Sequence, residues 1–345
     1  VALELADRFA GLPELEELEE LIAGLPPFAR TETLTCVRAD GRMYPVHGIV
    51  LGTEDRAAPT FAMIGGVHGL ERIGTQVVLS YLTVLARLLE WDALLQSALQ
   101  QMRLVFVPLV NPAGMAMRRR SNPGGVDLMR NAPVHPRSSG SFLVGGQVLS
   151  PRLPWYRGRE DDQMEVEAEA LCEFVRREVL PSRAAVLLDV HSGFGVIDRL
   201  WFPYARTRHP FPSLAEACAL AEILDRTLPH HFYRMEPQAR VYTIDGDLWD
   251  HMYDVHRVIN PRGVFMPLTL EMGSWLWLKK NPRQIFDALG SFNPMKPHRV
   301  RRTLRRHLPL FDLLRRVAAA PAAWSGFEAL RRTELEDRAF ERWFG

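Results

Sequence analysis

PTFAMIGGVHGLERIGTQVVLSYLTVLARLL (59–89) passes from an apolar run through a glycine-bracketed turn into a stretch with helical spacing. The segment PTFAMIGG reads as a buried strand, because its apolar run is continuous rather than alternating and is bounded by Pro59 and by Gly65-Gly66. Val77, Val78, Tyr81, Leu82, Leu85, Leu88 and Leu89 then recur at helical intervals within a stretch that runs from Gly74 to Gln101. LVFVPLVNP (104–112) supplies a further buried strand. Strand, helix and strand in that order imply a right-handed crossover and a mostly parallel sheet.

Outward from this unit the same alternation continues. Upstream, TLTCVRA (33–39) and MYPVHGIVLG (43–52), separated by Asp40-Gly41, predict a hairpin. PELEELEELIAG (13–24) predicts a helix with Pro13 at its start, early glutamates and a Gly-Leu-Pro-Pro stop. Downstream, a helix at about 163–180 precedes the apolar strand AAVLLDVHSG (184–193), a helix at about 213–228 follows, and GVFMPLTLEMG (263–273) adds a strand. The expected fold is α/β, with a mixed, mostly parallel twisted sheet flanked by helices. Residues 113–160 are rich in Arg, Pro, Gly and Ser, and so long an irregular stretch inside a compact domain points to a site-forming loop.

After Asn293-Pro294-Met295 the composition shifts, and KPHRVRRTLRRH (296–307) carries six Lys or Arg in its first eleven residues. Two or three short helices are expected to the end. The expected division is therefore a main domain over 1–295, with N-terminal helix and hairpin, and a basic helical extension over 296–345. The extension reads as a solvated helix face pairing with the acidic helices at 14–20 or 160–173, with a nucleic-acid or anionic-lipid patch as the other reading.

Over the whole chain of 345 residues, 42 basic residues stand against 41 acidic ones and 47% of residues are hydrophobic. That balance predicts no nucleic-acid or membrane partner. Cys36, Cys172 and Cys218 are far apart and form no CxxC pair, which argues against a cysteine-ligated zinc site and a disulfide framework and predicts a reducing compartment, the cytoplasm. The acidic start, VALELADRFAG, shows no basic leader or apolar core, and no later stretch reaches about 18 apolar residues, so neither an export signal nor a membrane span is expected.

The turn at 65–74 places His68 three residues before Glu71, directly after a strand. His191 stands at the carboxyl end of a different apolar strand, also beside a glycine. In an open α/β sheet that edge is where ligands bind, so distant strands can deliver such side chains to one crevice. Two histidines and a glutamate are a common ligand set for a catalytic zinc whose fourth position is left for water. Glu271, in LTLEMGS, ends another apolar strand, and beside a metal-bound water it could act as general base and then general acid. An amide hydrolase needs a cation facing the developing oxyanion, and an exopeptidase needs another for the substrate carboxylate; Arg120 and Arg130 in RRRSNPGGVDLMRNAP (118–133) are the candidates. Asp189 shares a strand face with His191 and could orient it, whereas Ser192 has no base at a readable spacing.

HGLE (68–71), NPAG (111–114), RSNPGGVDLMRN (120–131), DVHSG (189–193) and TLEMG (269–273) occur in the order and approximate spacing of the M14 zinc carboxypeptidases, which the chain resembles over about 55–275. The resemblance implies a zinc carboxypeptidase-like fold and one Zn²⁺ held by His68, Glu71 and His191, with Glu271 as general base and acid. It further implies that Arg120 stabilises the oxyanion, that Arg130 binds the terminal carboxylate of a peptide, and that Tyr242, in YTIDGDLWDHMY, closes over the substrate. Tyr253 and Tyr233 are alternatives for that tyrosine.

One position departs from the family's pattern. Met129 stands where an asparagine usually precedes the arginine, and methionine cannot donate the hydrogen bond that helps hold the carboxylate. Such a loss forfeits roughly 1.5–3 kcal/mol in a buried site, about one to two decades of affinity. Asn131 is the candidate to replace it. The expectation is a zinc-dependent hydrolase trimming a peptide C-terminus. The alternatives are a deacylase of N-acyl amino acids or related small amides, a catalytically silent metal-binding protein, and a basic-tail adaptor.

Overall fold

A computed structural model of the chain describes residues 11–133, 144–159 and 163–345. The first ten residues and parts of the 113–160 loop lie outside the described residues. In chain order the elements are α1 (Pro13–Ala23), β1 (Arg30–Ala39), β2 (Arg42–Gly52), β3 (Thr60–Gly65), α2 (Arg72–Leu88), α3 (Ala93–Leu99), β4 (Arg103–Val107), α4 (Pro112–Ala116) and α5 (Val166–Glu178). There follow β5 (Ala184–Ser192), β6 (Arg199–Phe202), α6 (Leu214–Thr227), β7 (Arg234–Pro237), α7 (Leu248–Ile259), β8 (Val264–Met272), α8 (Trp275–Lys280), α9 (Pro297–Arg306), α10 (Leu308–Ala319) and α11 (Ala329–Trp343).

The strands form one sheet in the order β1-β2-β4-β3-β5-β8-β6-β7. Its centre, β4-β3-β5-β8, is parallel. The β1–β2 hairpin joins β4 antiparallel, and β6 joins β8 antiparallel before pairing in parallel with β7. The sheet is therefore mixed with a parallel core, as the sequence predicts. Every residue of β3 and β5 is buried, which explains why both read as unbroken apolar runs.

Local chemistry sets the element ends. Asp40 and Gly41 both have positive φ (48° and 76°), the backbone that a two-residue hairpin turn requires between right-twisted strands. The helical stretch expected over 74–101 is broken in two, because Asp92 accepts hydrogen bonds from the Leu94 and Leu95 N–H groups at 2.9 and 3.3 Å and starts a new helix there. β6 and β7 have only four residues each and were invisible to periodicity.

α2 and α10 both pack on β3 and β5, with the Tyr81 and Phe311 rings edge-to-face at 5.5 Å. Leu310, Phe311, Leu314 and Trp324 belong to the same continuous core as the sheet, so the division expected at residue 295 cuts through shared packing. Among the described residues, the cations of α9 do not find the acidic partners expected for them. Arg306 pairs with Asp198 at 3.0 Å and Arg299 reaches backbone carbonyls of α8, while Glu14 is taken by Arg72 and Gln76.

The order of strands places the site. From β3 the chain moves to β4 on one side, and from β5 it moves to β6, beyond β8, on the other, so the connections leave the carboxyl edge in opposite directions. A crevice opens where they diverge.

Candidate metal and active site

His68 lies in the turn after β3, and Glu71 occupies the cap position of α2 without spending its side chain on that helix. The turn lies flat against α4: a Cβ on Gly69 would sit 2.3 Å from the carbonyl carbon of Gly114, and the Gly69 N–H donates to the Arg120 carbonyl at 3.2 Å. Glycine is thus required at 69 by close approach of two backbones. The freed Glu71 carboxylate turns into the crevice, where Oε1 accepts from Arg120 at 3.0 Å and Oε2 accepts from the Ser192 N–H at 2.9 Å.

His191 is the penultimate residue of β5, and Glu271 is its register partner on β8, so both side chains project from one face of adjacent strands. His191 Nε2 donates to Asp189 Oδ2 at 2.7 Å, and Asp189 also accepts from Trp249 Nε1 at 2.8 Å. That leaves Nδ1 facing Glu71 Oε2 at 3.1 Å. Glu271 Oε1 accepts from the Phe194 N–H at 2.9 Å. His68, Glu71 and His191 are buried, and each offers a ligand atom within 4.8 Å of the others. The structure thus brings together all three residues expected as ligands, with Glu271 beside them.

Electrostatics sort these groups. Burial, with the neighbouring Arg120 charge, lowers His68 to about 3, so its imidazole is neutral and has a lone pair to offer. For His191 burial opposes protonation, but the two carboxylates Asp189 and Glu71 override it and raise its pKa well above the usual value. Burial likewise works against Glu71, yet its histidine neighbours and Arg120 hold it down at about 2. Glu271 moves the other way: burial first, then repulsion from Glu71, raises it to about 8.

This donor set fits zinc. Without a proton on Nδ1, the His191 lone pair and the Glu71 carboxylate would face one another, and a divalent cation relieves that repulsion as a proton does. Asp189 supplies the outer hydrogen bond that fixes which ring nitrogen is free.

Of the three successive arginines, Arg118 and Arg119 are exposed and Arg120 turns inward, its Nη2 2.6 Å from His68 Nε2 and its Nε 3.1 Å from Asp127. Arg130 is fully buried on the cavity wall, donating to Asp127 at 2.9 Å and twice to the Val144 carbonyl. Met129 lines the cavity beside it. Asn131 does not: its amide donates to the Arg157 carbonyl and its oxygen accepts from the Glu165 N–H, so it pins two loops and is corrected from substrate contact to loop support. Tyr242 lines the cavity and meets the rings of Phe194 and Trp201, each at 5.8 Å. Tyr253 and Tyr233 are tied to Ser213 and His307 away from the cavity.

The cavity holds about 1060 Å³ and is walled by Trp155, Phe194, Trp201, Ile244, Trp275 and Phe292 around the polar cluster. Two participants escaped the sequence reading. Asp127 is a buried carboxylate held ionised, against the cost of burial, by Arg130 and Arg120, and its signal was the one that flagged Glu271, an acid among apolar neighbours. Asn293 accepts from the Ile73 N–H at 2.9 Å and donates to the Leu70 carbonyl at 2.8 Å, bracketing Glu71; next to it, the Phe292 carbonyl accepts from Ser192 Oγ at 2.8 Å. No sequence signal marks that clamp, because Asn293 stands beyond the quoted motifs, where the composition shifts.

The sequence profile of the zinc carboxypeptidases matches residues 39–275. Carboxypeptidase SOL1 of Arabidopsis thaliana is 35% identical over 80 residues, which is 23% of this chain and only 16% of the length of that relative. Bovine thrombin-activatable fibrinolysis inhibitor, solved with tick carboxypeptidase inhibitor, superposes with a TM-score of 0.61 at 16% identity, covering 91% of this chain and 97% of that one. Carboxypeptidase A from Helicoverpa armigera gives 0.58 at 17% identity, over 89% of this chain and 72% of that one. At such identities the two structures establish the shared fold.

Proposed function

The chain belongs to the zinc carboxypeptidase family, and on that premise we propose that it removes the C-terminal residue from a peptide by zinc-dependent hydrolysis. The observation that carries this reading is the convergence of His68, Glu71 and His191 within 4.8 Å, with Glu271 in register beside His191. One zinc ion held by these side chains would polarise the scissile carbonyl and lower the pKa of a water towards neutrality.

The chain's own groups do the rest. Glu271, held by the Phe194 N–H, accepts a proton from the attacking water and returns it to the departing nitrogen. Burial suits it to both steps, since a carboxylate with raised proton affinity is a better base than an exposed one. Arg120 already turns its guanidinium into the ligand cluster and faces the carbonyl oxygen as negative charge develops there. Asp127 holds Arg120 and Arg130 in fixed orientation from behind. Arg130 takes the substrate carboxylate and Tyr242 closes over it, while the aromatic walls exclude water.

A second reading, hydrolysis of N-acyl amino acids or related small amides, is favoured by Met129 and by the engagement of Arg130 with Val144 and Asp127, both of which weaken capture of a peptide carboxylate. The test compares free-carboxylate peptides, their C-terminal amides and N-acyl amino acids, with and without a chelator. Chelator-sensitive release of the last residue from free-carboxylate peptides alone supports the first reading. Preferential cleavage of acyl amino acids moves the assignment to the second, and chelator-resistant turnover refutes both.

A further inference from the structure

The near-neutral total charge hides a strong segregation. Between residues 276 and 307 there are nine Lys or Arg and a single acid, Asp287. Lys279, Lys280, Arg283, Lys296, Arg301, Arg302 and Arg305 are all exposed, and none has an ion-pair partner among the described residues. Arg299 at the inner side of α9 reaches the Trp277 and Lys280 carbonyls at 3.5 and 3.3 Å and fastens that helix against the end of α8, which brings the two cationic segments together.

Apolar side chains stand out from the same surface. Phe286 is 92% exposed and Ile285 60%, on the short 3₁₀ turn Pro282–Phe286 that follows α8. Trp275 and Met295 are exposed beside it. The protrusion is a built one: Gln284, in the middle of the turn, is only 4% exposed and its amide donates to the Gly290 and Asn293 carbonyls at 2.6 and 3.2 Å. An inward anchor therefore aims Arg283, Ile285 and Phe286 outward. Water gives no reason to hold a phenylalanine in that position.

We propose that this face, α8, the Ile285–Phe286 turn and the outer side of α9, docks on an anionic lipid surface. The two signals that reversible membrane attachment needs are both present: a cluster of unpaired cations for lipid phosphates and aromatic or aliphatic side chains at the depth of the headgroups. A nucleic acid would use the cations but has no use for Ile285 and Phe286 projecting between them. Trp275 ties the surface to the cavity, since it lines the cavity and its indole N–H donates to the Gly193 carbonyl at 3.0 Å, while Lys280 lies roughly 8 Å further along the same helix. Docking would hold the cavity mouth at the interface. This departs from the expectation that a balanced overall charge leaves the chain without a membrane partner.

The test is co-sedimentation of the full chain with vesicles of phosphatidylcholine alone or mixed with phosphatidylglycerol, over a range of salt. The expected result is salt-sensitive binding to the anionic vesicles only. Both Ile285→Ser with Phe286→Ser, which keeps every charge, and Lys279→Glu with Lys280→Glu and Arg283→Glu should weaken it roughly tenfold or more. Thermal unfolding and hydrolysis of a soluble substrate should be unchanged in both variants. Failure of the parent chain to bind anionic vesicles overturns the proposal, as does binding that the serine variant leaves intact. Self-association abolished by Phe286→Ser in the absence of lipid, or duplex binding in place of vesicle binding, would assign the face to another occupant and equally overturn it.

Discussion

Asn293 and Leu70, separated by 223 residues of chain, are joined by a 2.8 Å hydrogen bond from the Asn293 amide to the Leu70 carbonyl. The same side chain accepts from Ile73, so the turn that carries Glu71 is held from outside the segment that matches the family. Outer hydrogen bonds of this kind fix ligand orientation. Asn293→Ala should therefore weaken zinc retention by about 10–100-fold in chelator competition. Parental affinity in that variant would show that the turn holds itself.

Glu271→Gln preserves shape and the Phe194 contact while removing the proton acceptor. It should bind zinc stoichiometrically by metal analysis, while turnover falls by roughly 10²–10⁴-fold. Undiminished turnover would assign the base elsewhere.

Met129→Asn restores a donor beside Arg130. It should lower KM for free-carboxylate peptides roughly tenfold, the equivalent of about 1.5 kcal/mol, and leave C-terminal amides unaffected. Equal effects on both would mean the position does not meet the carboxylate.

His256 gives a stability prediction remote from the site. Its ring is buried against Phe265 with no hydrogen-bond partner among the described residues, and burial lowers it to about 4. The unfolded chain takes up this proton near pH 6.5 and the native protein only near 4, so the contribution is intact above 6.5 and is lost as pH falls between those values. The slope is at most about 1.4 kcal/mol per pH unit. His256→Phe should flatten the acid limb of a denaturation series by that amount; an unchanged limb would mean the ring is solvated.

The parallel core, the hairpin and the ligand triad were legible because each follows from local pattern: unbroken apolar strands, an Asp-Gly turn, and polar side chains at strand ends next to glycine. What escaped was set by distant packing. β6 and β7 are too short for periodicity and exist because β8 offers an edge. Asn293 carries no local mark of its partnership with Leu70. Asn131 carries no local mark of its loop-holding role, because its neighbours in sequence line the cavity while its own amide is spent on Arg157 and Glu165. Whether α10 belonged to the core or to a tail was likewise decided by contacts with β3 and β5 that no window of sequence contains.

The pairing of His191 with Glu271 in the parallel ladder of β5 and β8 makes catalysis a gauge of strand registration. Sliding β8 by one residue would turn Glu271 to the opposite face and bring Leu270 or Met272 beside the histidine, with much of the backbone ladder still formable. A refolding chain trapped in that misalignment would be compact yet inert, so recovered turnover reports that the central strands have found their native offset.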